Sequence, residues 1–193
     1  MDKDGNRSEE TMKVYVVAPV LNTGLPYYLR VNRALNVVTV YTQDKKGEYT
    51  EPYKAFVCSC GADQGTPSGI YNTYDKYRWL TLYGPCYGQY ATRFNGPILF
   101  HSVPYYTQDP SDLECDQFPL LGQAVSMGCV RLCVRDAKWI YDNCPMGTVV
   151  EIYDDYENPG PLGKPAAPAY DVGSENRGWD PTDPDPANPW LAG

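Results

Sequence analysis

Short runs of β-branched and aromatic residues, separated by turn residues, recur through the first half of this chain. The runs are MKVYVVAPV at 12–20, YYLRVN at 27–32, LNVVTVYT at 35–42, PYKAFVCSC at 52–60 and GPILFHSV at 96–103. Side chains of this kind suit pleated, half-buried strands, and intervening polar stretches such as QDKKGEYTE are typical of hairpins. The pattern therefore predicts a mainly β domain, an antiparallel sandwich or barrel.

One segment has the periodicity of a helix. In CVRDAKWIYDNCPMG, residues 133–147, apolar side chains recur at helical spacing, at Val134, Ala137, Ile140 and Tyr141. The proline and glycine near the end of this segment are typical helix terminators. The stretch GTVVEIYDD at 147–155 has the composition of a strand. We therefore predict a single helix after the loop that contains Cys129, followed by a closing strand.

The composition of the chain changes at Asp154. Residues 154–193 contain eight acidic side chains, two basic side chains and eight prolines, so they carry −6 of the net charge of −8. Such a composition is typical of an extended, solvated tail and not of a second core. We divide the sequence into a polar N-terminal segment with a first strand (1–25), one folded domain (26–154) and an acidic, proline-rich tail (155–193).

The net charge of −8 excludes one class of partner. Nucleic-acid binding needs clustered lysines and arginines that displace counterions, so we expect none. The 18 tyrosines, against 4 phenylalanines, favour grooves that present amphipathic rings to peptide or carbohydrate. No apolar run reaches the roughly 18–20 residues of a membrane span, and MDKDGNRSEETMKV lacks the apolar core of a signal peptide. We expect either a cytosolic protein or a chain without its native signal or anchor.

Seven cysteines are many for a reducing compartment, and they lie at Cys58, Cys60, Cys86, Cys115, Cys129, Cys133 and Cys144. We expect six of them to pair as disulfides outside the membrane, which leaves one reactive thiol. The alternative is a set of buried, inert thiols. A zinc site is disfavoured, because the cysteine spacings differ from those of zinc knuckles and one histidine is present. We therefore expect no metal and no other cofactor.

The single histidine, His101, and the cysteine of SMGCVRLC at 126–133 form the strongest candidate pair for chemistry. A thiol becomes a nucleophile when a base favours its thiolate, and imidazole is the usual base. Cys129 lies in a glycine-containing turn before the helix, where unpaired N–H groups and the helix dipole favour an anion. Arg131 alternates to the same side and suits a substrate carboxylate. The alternative is a packed core histidine with a buried or bridged cysteine.

Three stretches follow one another along the chain: TPSGIYNT at 66–73, GPILFHSVPY at 96–105 and LGQAVSMGCVRL at 121–132. Together they resemble the hallmark segments of the L,D-transpeptidase catalytic (YkuD-type) family, and the resemblance covers roughly 26–153. It implies a β-sandwich with one helix after the cysteine loop. It also implies an acyl-enzyme mechanism on the peptide stems of peptidoglycan.

The resemblance assigns candidate roles to individual residues. Cys129 matches the nucleophile, and His101 matches the general base that activates it. Ser102 matches the position whose backbone carbonyl orients the imidazole. Arg131 matches the position near the polar part of the substrate stem.

Further candidates surround these residues. Backbone donors near Gly128 and Cys129 would form the oxyanion hole, with Ser126 and Met127 in the same loop. Three tyrosines are candidates for the substrate groove, with ordinary sheet packing as the alternative: Tyr83, Tyr87 and Tyr105.

The implied reaction is ping-pong: Cys129 attacks a donor tetrapeptide stem, releases the terminal D-alanine, and transfers the acyl group to an amine or to water. The resemblance further implies acylation of the cysteine by carbapenem β-lactams. We expect a bacterial, extracellular, wall-facing monomer with a role in cell-wall biogenesis and cell shape.

Two features depart from the family pattern. The insertion YYTQDPSDLECDQ at 105–117 is either a lid or specificity loop, or a decoration. Met127 stands where the family has histidine, and a thioether cannot usefully accept a proton. Because the upstream histidine is the family's base, we expect this change to tune the site and not to abolish it.

Two other functions remain open at this stage. A sortase-like transpeptidase also orders histidine, cysteine and arginine along a β-rich chain, although SMGCVRL lacks the threonine-rich stretch expected before a sortase cysteine. A secreted, disulfide-stabilised wall-binding module with a relic site is motivated by Met127 and by the tail, whose Trp179 and Trp190 could dock into a groove or a wall polymer.

Overall fold

Residues 23–192 are described by the structure, a computed structural model, and they form two β-sheets and one α-helix. The strands are β1 (Tyr28–Asn32), β2 (Val37–Thr42), β3 (Glu51–Val57), β4 (Gly69–Asn72), β5 (Asp75–Thr81), β6 (Tyr87–Asn95), β7 (Ile98–Ser102), β8 (Val130–Leu132) and β9 (Val149–Tyr153). The helix is α1 (Val134–Asn143), and short 3-10 helices lie at Ala62–Gln64, Phe118–Leu120 and Pro189–Ala192. The strand predicted at 12–20 lies outside the described residues.

The two sheets have the orders β3-β2-β1-β9-β4 and β5-β6-β7-β8. A shared apolar core, which includes Leu29 and Val38 from the first sheet and Phe100 and Val130 from the second, joins them as a sandwich. The prediction of a mainly β sandwich is therefore confirmed. The prediction that all strands pair antiparallel is wrong, because β9 pairs in parallel with β1 and β8 pairs in parallel with β7. Both parallel strands return through long crossover connections, as parallel pairing requires.

The predicted helix is confirmed in type and position. Val134, Ala137 and Ile140 are fully buried on one face of α1, which packs against β6, β7 and β8. The helix ends before Pro145, which cannot continue it. Within residues 23–192 no helix is long and apolar enough to cross a membrane.

The sequence analysis did not predict four of the strands: β4, β5, β6 and β8. The strand β6 contains Gly88 and the buried polar side chains Gln89 and Thr92, so it lacks the apolar run that marks a core strand. The strand β8 has three residues and lies directly after Cys129. Such strands are defined by their pairing partners and not by their own composition.

The expected disulfide framework is absent from the structure, in which all seven cysteines are free thiols. Cys58, Cys60, Cys133 and Cys144 are fully buried and contribute to the apolar core. The sulfurs of Cys58 and Cys60 lie 3.8 Å apart, which is a contact between thiols and not a bond. These four cysteines thus act as small apolar side chains, which was the alternative interpretation.

The C-terminal tail is not a solvated extension. The Tyr170 ring packs 4.6 Å from that of Phe118 and 6.1 Å from that of Trp190, measured between ring centroids. Asp180 and Asp183 are almost completely buried. Polar, proline-rich composition suggested solvent exposure, but hydrogen bonds to the domain satisfy these buried carboxylates.

Candidate active site

The loop that carries Cys129 is closed by its own hydrogen bonds. The Ser126 hydroxyl donates to the carbonyl oxygen of Cys129 (2.5 Å) and accepts from the backbone N–H of Gly128 (3.1 Å). Gly128 has φ +137°, and a Cβ there would lie 2.8 Å from Cδ1 of Ile98. Only glycine fits this position without displacing its neighbours. Ser126 and Gly128 therefore shape the loop.

The helix N-terminus does not face Cys129, contrary to expectation. Strand β8 separates the two, and the N–H of Val134 donates to a carboxylate oxygen of Asp180 (2.7 Å). Burial raises the pKa of the Cys129 thiol, and the N–H of Leu99 and the charge of Arg131 only partly oppose this effect. Cys129 is therefore a neutral thiol at rest, which needs a base to become a nucleophile.

The backbone donors near Cys129 differ in availability. The N–H of Gly128 is occupied by Ser126 and cannot serve an oxyanion in this arrangement. The N–H of Cys129 has no hydrogen-bond acceptor among the described residues. It is the better candidate for the oxyanion hole.

His101 lies on β7, where it pairs with Arg131 of the parallel neighbour β8. Its Nδ1 donates to the carbonyl oxygen of Ser102 (2.6 Å). Because a carbonyl can only accept, this contact fixes the tautomer with the proton on Nδ1 and leaves the lone pair on Nε2. Burial, helped by the charge of Arg131, lowers the pKa of His101 to about 4. The imidazole is therefore neutral near pH 7.

Two cavities meet at Cys129. The base cavity, of about 50 Å³, is lined by Cys86, His101, Cys129 and Arg131, among others. The apolar cavity, of about 330 Å³, is lined by Cys129, Leu99 and Arg93, among others. Sequence reasoning predicted that His101, Cys129 and Arg131 converge, and the structure brings them to one cavity. Within residues 23–192 no three His, Cys, Asp or Glu side chains converge as metal ligands.

Arg131 is positioned by the insertion at 105–117. Its Nη1 donates to Oε1 of Gln117 (3.0 Å), so this segment builds part of the site and is not a decoration. Tyr83 is 84% exposed and lines both cavities, as a groove residue should. Tyr105 is fully buried and packs edge-on against Trp79, so it is a core residue and its assignment to the groove is wrong.

Sequence reasoning missed several residues of the site. Arg93 belongs to β6, and Cys86 belongs to the turn before β6. Both are far in sequence from Cys129, and no motif indicated them. Gly88 was also missed: a Cβ on it would lie 3.0 Å from Nδ1 of His101. The glycine in YGQY at 87–90 was the available signal, because a glycine inside a strand often marks a close approach.

The sequence profile of the L,D-transpeptidase catalytic domain matches residues 26–152. The chain belongs to this family. A curated relative, the putative L,D-transpeptidase YciB of Bacillus subtilis, is 37% identical over 94 residues, which are 47% of this chain and 47% of the relative. This L,D-transpeptidase family member thus spans about half the length of the curated relative that it matches.

Solved structures share the fold of this L,D-transpeptidase domain. A fused Zn-dependent amidase/peptidase/peptidoglycan-binding domain-containing protein from Clostridium acetobutylicum is 27% identical, with a TM-score of 0.50 over 66% of this chain and 52% of that chain. An L,D-transpeptidase from Mycobacterium smegmatis is 19% identical, with a TM-score of 0.52 over 66% and 58%. An L,D-transpeptidase in complex with imipenem is 20% identical, with a TM-score of 0.52 over 66% and 59%.

Proposed function

We propose that this chain is a cysteine-dependent L,D-transpeptidase acting on the peptide stems of peptidoglycan. One observation carries the proposal: a thiol and a neutral imidazole, Cys129 and His101, line the same cavity, and the imidazole keeps its Nε2 lone pair. Acyl transfer needs a nucleophile and a base in this arrangement. Membership of the family supports the reaction class.

In the first half-reaction, Cys129 attacks the carbonyl that follows the diamino acid of a donor tetrapeptide stem. The thiol proton passes to Nε2 of His101 as the C–S bond forms, because the thiol is neutral at rest. The tetrahedral intermediate then collapses, the C–N bond to the terminal D-alanine breaks, and the leaving amine takes the proton from the imidazolium. The products are a thioester on Cys129 and free D-alanine.

In the second half-reaction, an amine of a neighbouring stem attacks the thioester and gives its proton to His101. The sulfur of Cys129 leaves and regains a proton from the imidazolium. Transfer to an amine creates a crosslink, whereas transfer to water trims the stem. The proposal covers both outcomes, which share the same acyl-enzyme.

The charges around Cys129 suit an anionic peptide. The chain carries a net charge of −8, yet each cavity at Cys129 contains an arginine: Arg131 in the base cavity and Arg93 in the apolar cavity. Guanidinium groups bind carboxylates through paired hydrogen bonds. We infer that they bind carboxylates of the two stems that the reaction joins.

The substrate class determines two further proposals. Peptidoglycan lies outside the membrane, so we infer a bacterial, extracellular, wall-facing location. We also infer that carbapenems acylate Cys129, since a β-lactam carbonyl offers the same target as the stem. An L,D-transpeptidase of similar fold has been solved in complex with imipenem.

Incubation with purified muropeptides tests the proposed function. We expect release of D-alanine from a tetrapeptide stem, together with crosslinked dimer or tripeptide, by liquid chromatography and mass spectrometry. A sorting-signal peptide serves as the control substrate and should remain intact. Turnover of the sorting peptide alone would show that the enzyme is of the sortase type.

A wall-binding module with a relic site is the second candidate from the sequence. Its structural motivation was the aromatic tail, but Trp190 contacts Tyr170 and donates to the carbonyl of Asn176 within the same segment. These contacts bind Trp190, one of the two tail rings that could dock a polymer, to the protein itself. The observations therefore favour the enzyme.

Replacement of Gly88 by alanine should impair catalysis more than folding. The added Cβ would lie 3.0–3.1 Å from Nδ1, Cβ and Cγ of His101, so the imidazole must move by a few tenths of an ångström. Misplacement of this order in a base costs about tenfold or more in kcat. Steady-state D-alanine release measures the effect. Gly163→Ala is the matched control: it strains a turn that lines neither cavity (φ +74°), and its Cβ meets nothing within 4 Å, so kcat should stay at the wild-type value.

Met127→His should change kcat/KM by less than about tenfold, because the Met127 side chain is 73% exposed and His101 already supplies the base. The D-alanine assay measures it, with the exposed Met146→His as a matched control away from both cavities. An increase in kcat/KM of more than a hundredfold in Met127→His would mean that the wild-type site lacks an essential imidazole.

A further inference from the structure

A buried polar chain connects the C-terminal segment to His101. The side chain of Gln89, on β6, accepts from Nη1 of Arg78 (2.7 Å) and donates from Nε2 to a carboxylate oxygen of Asp183 (3.1 Å). Gln89 is fully buried and Asp183 is 1% exposed. Both side-chain ends of Gln89 are therefore held, one of them by a residue more than 80 positions beyond His101 in sequence.

The backbone of Gln89 continues this chain towards the base. Its N–H donates to the hydroxyl of Ser102 (2.9 Å), which donates in turn to the carbonyl oxygen of Val103 (2.8 Å). The carbonyl oxygen of Ser102 accepts from Nδ1 of His101 (2.6 Å). Ser102 is thus bound through its hydroxyl to the backbone N–H of Gln89 on the neighbouring strand β6, while the N–H of the peptide group that bears its carbonyl donates to Leu132 on β8 (2.8 Å).

The carboxylate of Asp183 is itself held in place. Its second oxygen accepts from the N–H of Asp185 (3.0 Å), and Nδ2 of Asn188 donates to the carbonyl oxygens of Asp180 and Asp183 (3.0 and 2.8 Å). The carboxylate of Asp180 caps the start of α1 at Val134. Residues 178–190, here called the C-terminal clasp, therefore bind both the strand beside His101 and the segment that follows Cys129.

We propose that Asp183 and Gln89 are positioning residues for His101, and that the C-terminal clasp is part of the catalytic unit. The role of His101 as base rests on the proposed function, whereas its positioning does not. Loss of the Asp183 carboxylate removes an acceptor from Nε2 of Gln89 in the core, where a lost hydrogen bond is costly, so we expect β6 to shift relative to β7. That shift loosens the Ser102 hydroxyl and, with it, the carbonyl that holds Nδ1.

The single histidine makes the test direct. In protein labelled with 15N-histidine, long-range 1H–15N spectra should report one imidazole in the Nδ1–H tautomer for the wild type. In Asp183→Ala we expect a mixture with the Nε2–H tautomer, and a fall in kcat of about tenfold with KM unchanged within about twofold. Asp183→Asn keeps one acceptor oxygen, which can serve Gln89, but it loses the acceptor of the Asp185 N–H, so its spectrum should lie between those of Asp183→Ala and the wild type.

Asp171→Ala is the matched control. It removes a carboxylate that accepts from the N–H of Gly173 (2.8 Å), outside the C-terminal clasp, and leaves the contact between Asp183 and Gln89, so its spectrum and kcat should equal those of the wild type. If Asp183→Ala does not fold, Gln89→Met removes the same hydrogen bond from the other partner and is read in the same way.

Wild-type tautomer and kcat in a folded Asp183→Ala or Gln89→Met variant would overturn the proposal and reduce the C-terminal clasp to a stabilising element. A tautomer shift in these variants, in a protein that neither releases D-alanine nor reacts with a carbapenem, would instead support the positioning and refute the proposed function.

Discussion

Replacement of Cys129 by alanine should abolish both D-alanine release and the mass increase that a carbapenem produces on the wild-type protein. The thiol is the only nucleophile that the mechanism uses, and alanine offers no atom that can form an acyl-enzyme. The expected loss in kcat reaches the detection limit of the assay, with the fold preserved because the side chain lines a cavity and is not packed in the core. Intact-protein mass spectrometry after imipenem treatment measures the adduct.

A second thiol in the base cavity makes the location of the adduct informative. Cys86 and Cys129 line the same cavity as His101, the single histidine of the sequence, so the thiol that carries the adduct is the one that His101 activates. Peptide mapping should place the acyl group on Cys129 alone. Cys115→Ala, which changes a half-buried thiol outside both cavities, serves as the control and should form the adduct fully. An adduct that persists in Cys129→Ala would move the nucleophile to another residue.

The candidate pair, His101 and Cys129, could be predicted from sequence because few residues in the chain can fill these roles. One histidine is present, it ends an apolar run that became β7, and the motif around Cys129 has the order of the family. The prediction that Arg131 lies on the same side as Cys129 is also confirmed, because β8 is extended. Local pattern was sufficient for these residues.

The parts that could not be predicted depend on long-range contacts. Gln117 meets Arg131 and Asp183 meets Gln89 only after the chain has folded, and neither pair has a sequence signature. The C-terminal tail was wrongly predicted for the same reason. Its acidic side chains are typical of a solvent-exposed segment, but long-range hydrogen bonds allow some of them to be buried in the protein. Four of the seven cysteines were misjudged because they are free thiols packed in the apolar core, and the sequence does not distinguish such thiols from disulfide partners.

Replacement of His101 by glutamine should lower kcat/KM by about 10²–10⁴-fold, which is the range that general acid–base catalysis contributes. Glutamine can still donate to the carbonyl of Ser102 from its amide, but it has no lone pair that accepts a proton at neutral pH. The pH profile separates this loss from a loss of fold. In the wild type, kcat/KM should fall as the pH drops through about 4, because the imidazole is then protonated and cannot act as a base. The variant should lack this acid limb.

His101→Gln, which lowers activity, should raise the stability of the folded protein in acid relative to the wild type. The pKa of His101 is lowered from 6.5 to about 4, so between these values the unfolded chain binds the proton and the folded protein does not. Falling pH therefore destabilises the wild type through this residue, by about 3 kcal/mol once the pH is below 4. Burial raises the pKa of Asp180 to about 6, which acts in the opposite direction, so the difference between wild type and His101→Gln isolates the histidine. Urea unfolding at pH 7 and pH 4 measures it. A variant that keeps activity within tenfold of the wild type, with no relative gain in acid stability, would show that His101 is neither the base nor a buried neutral imidazole.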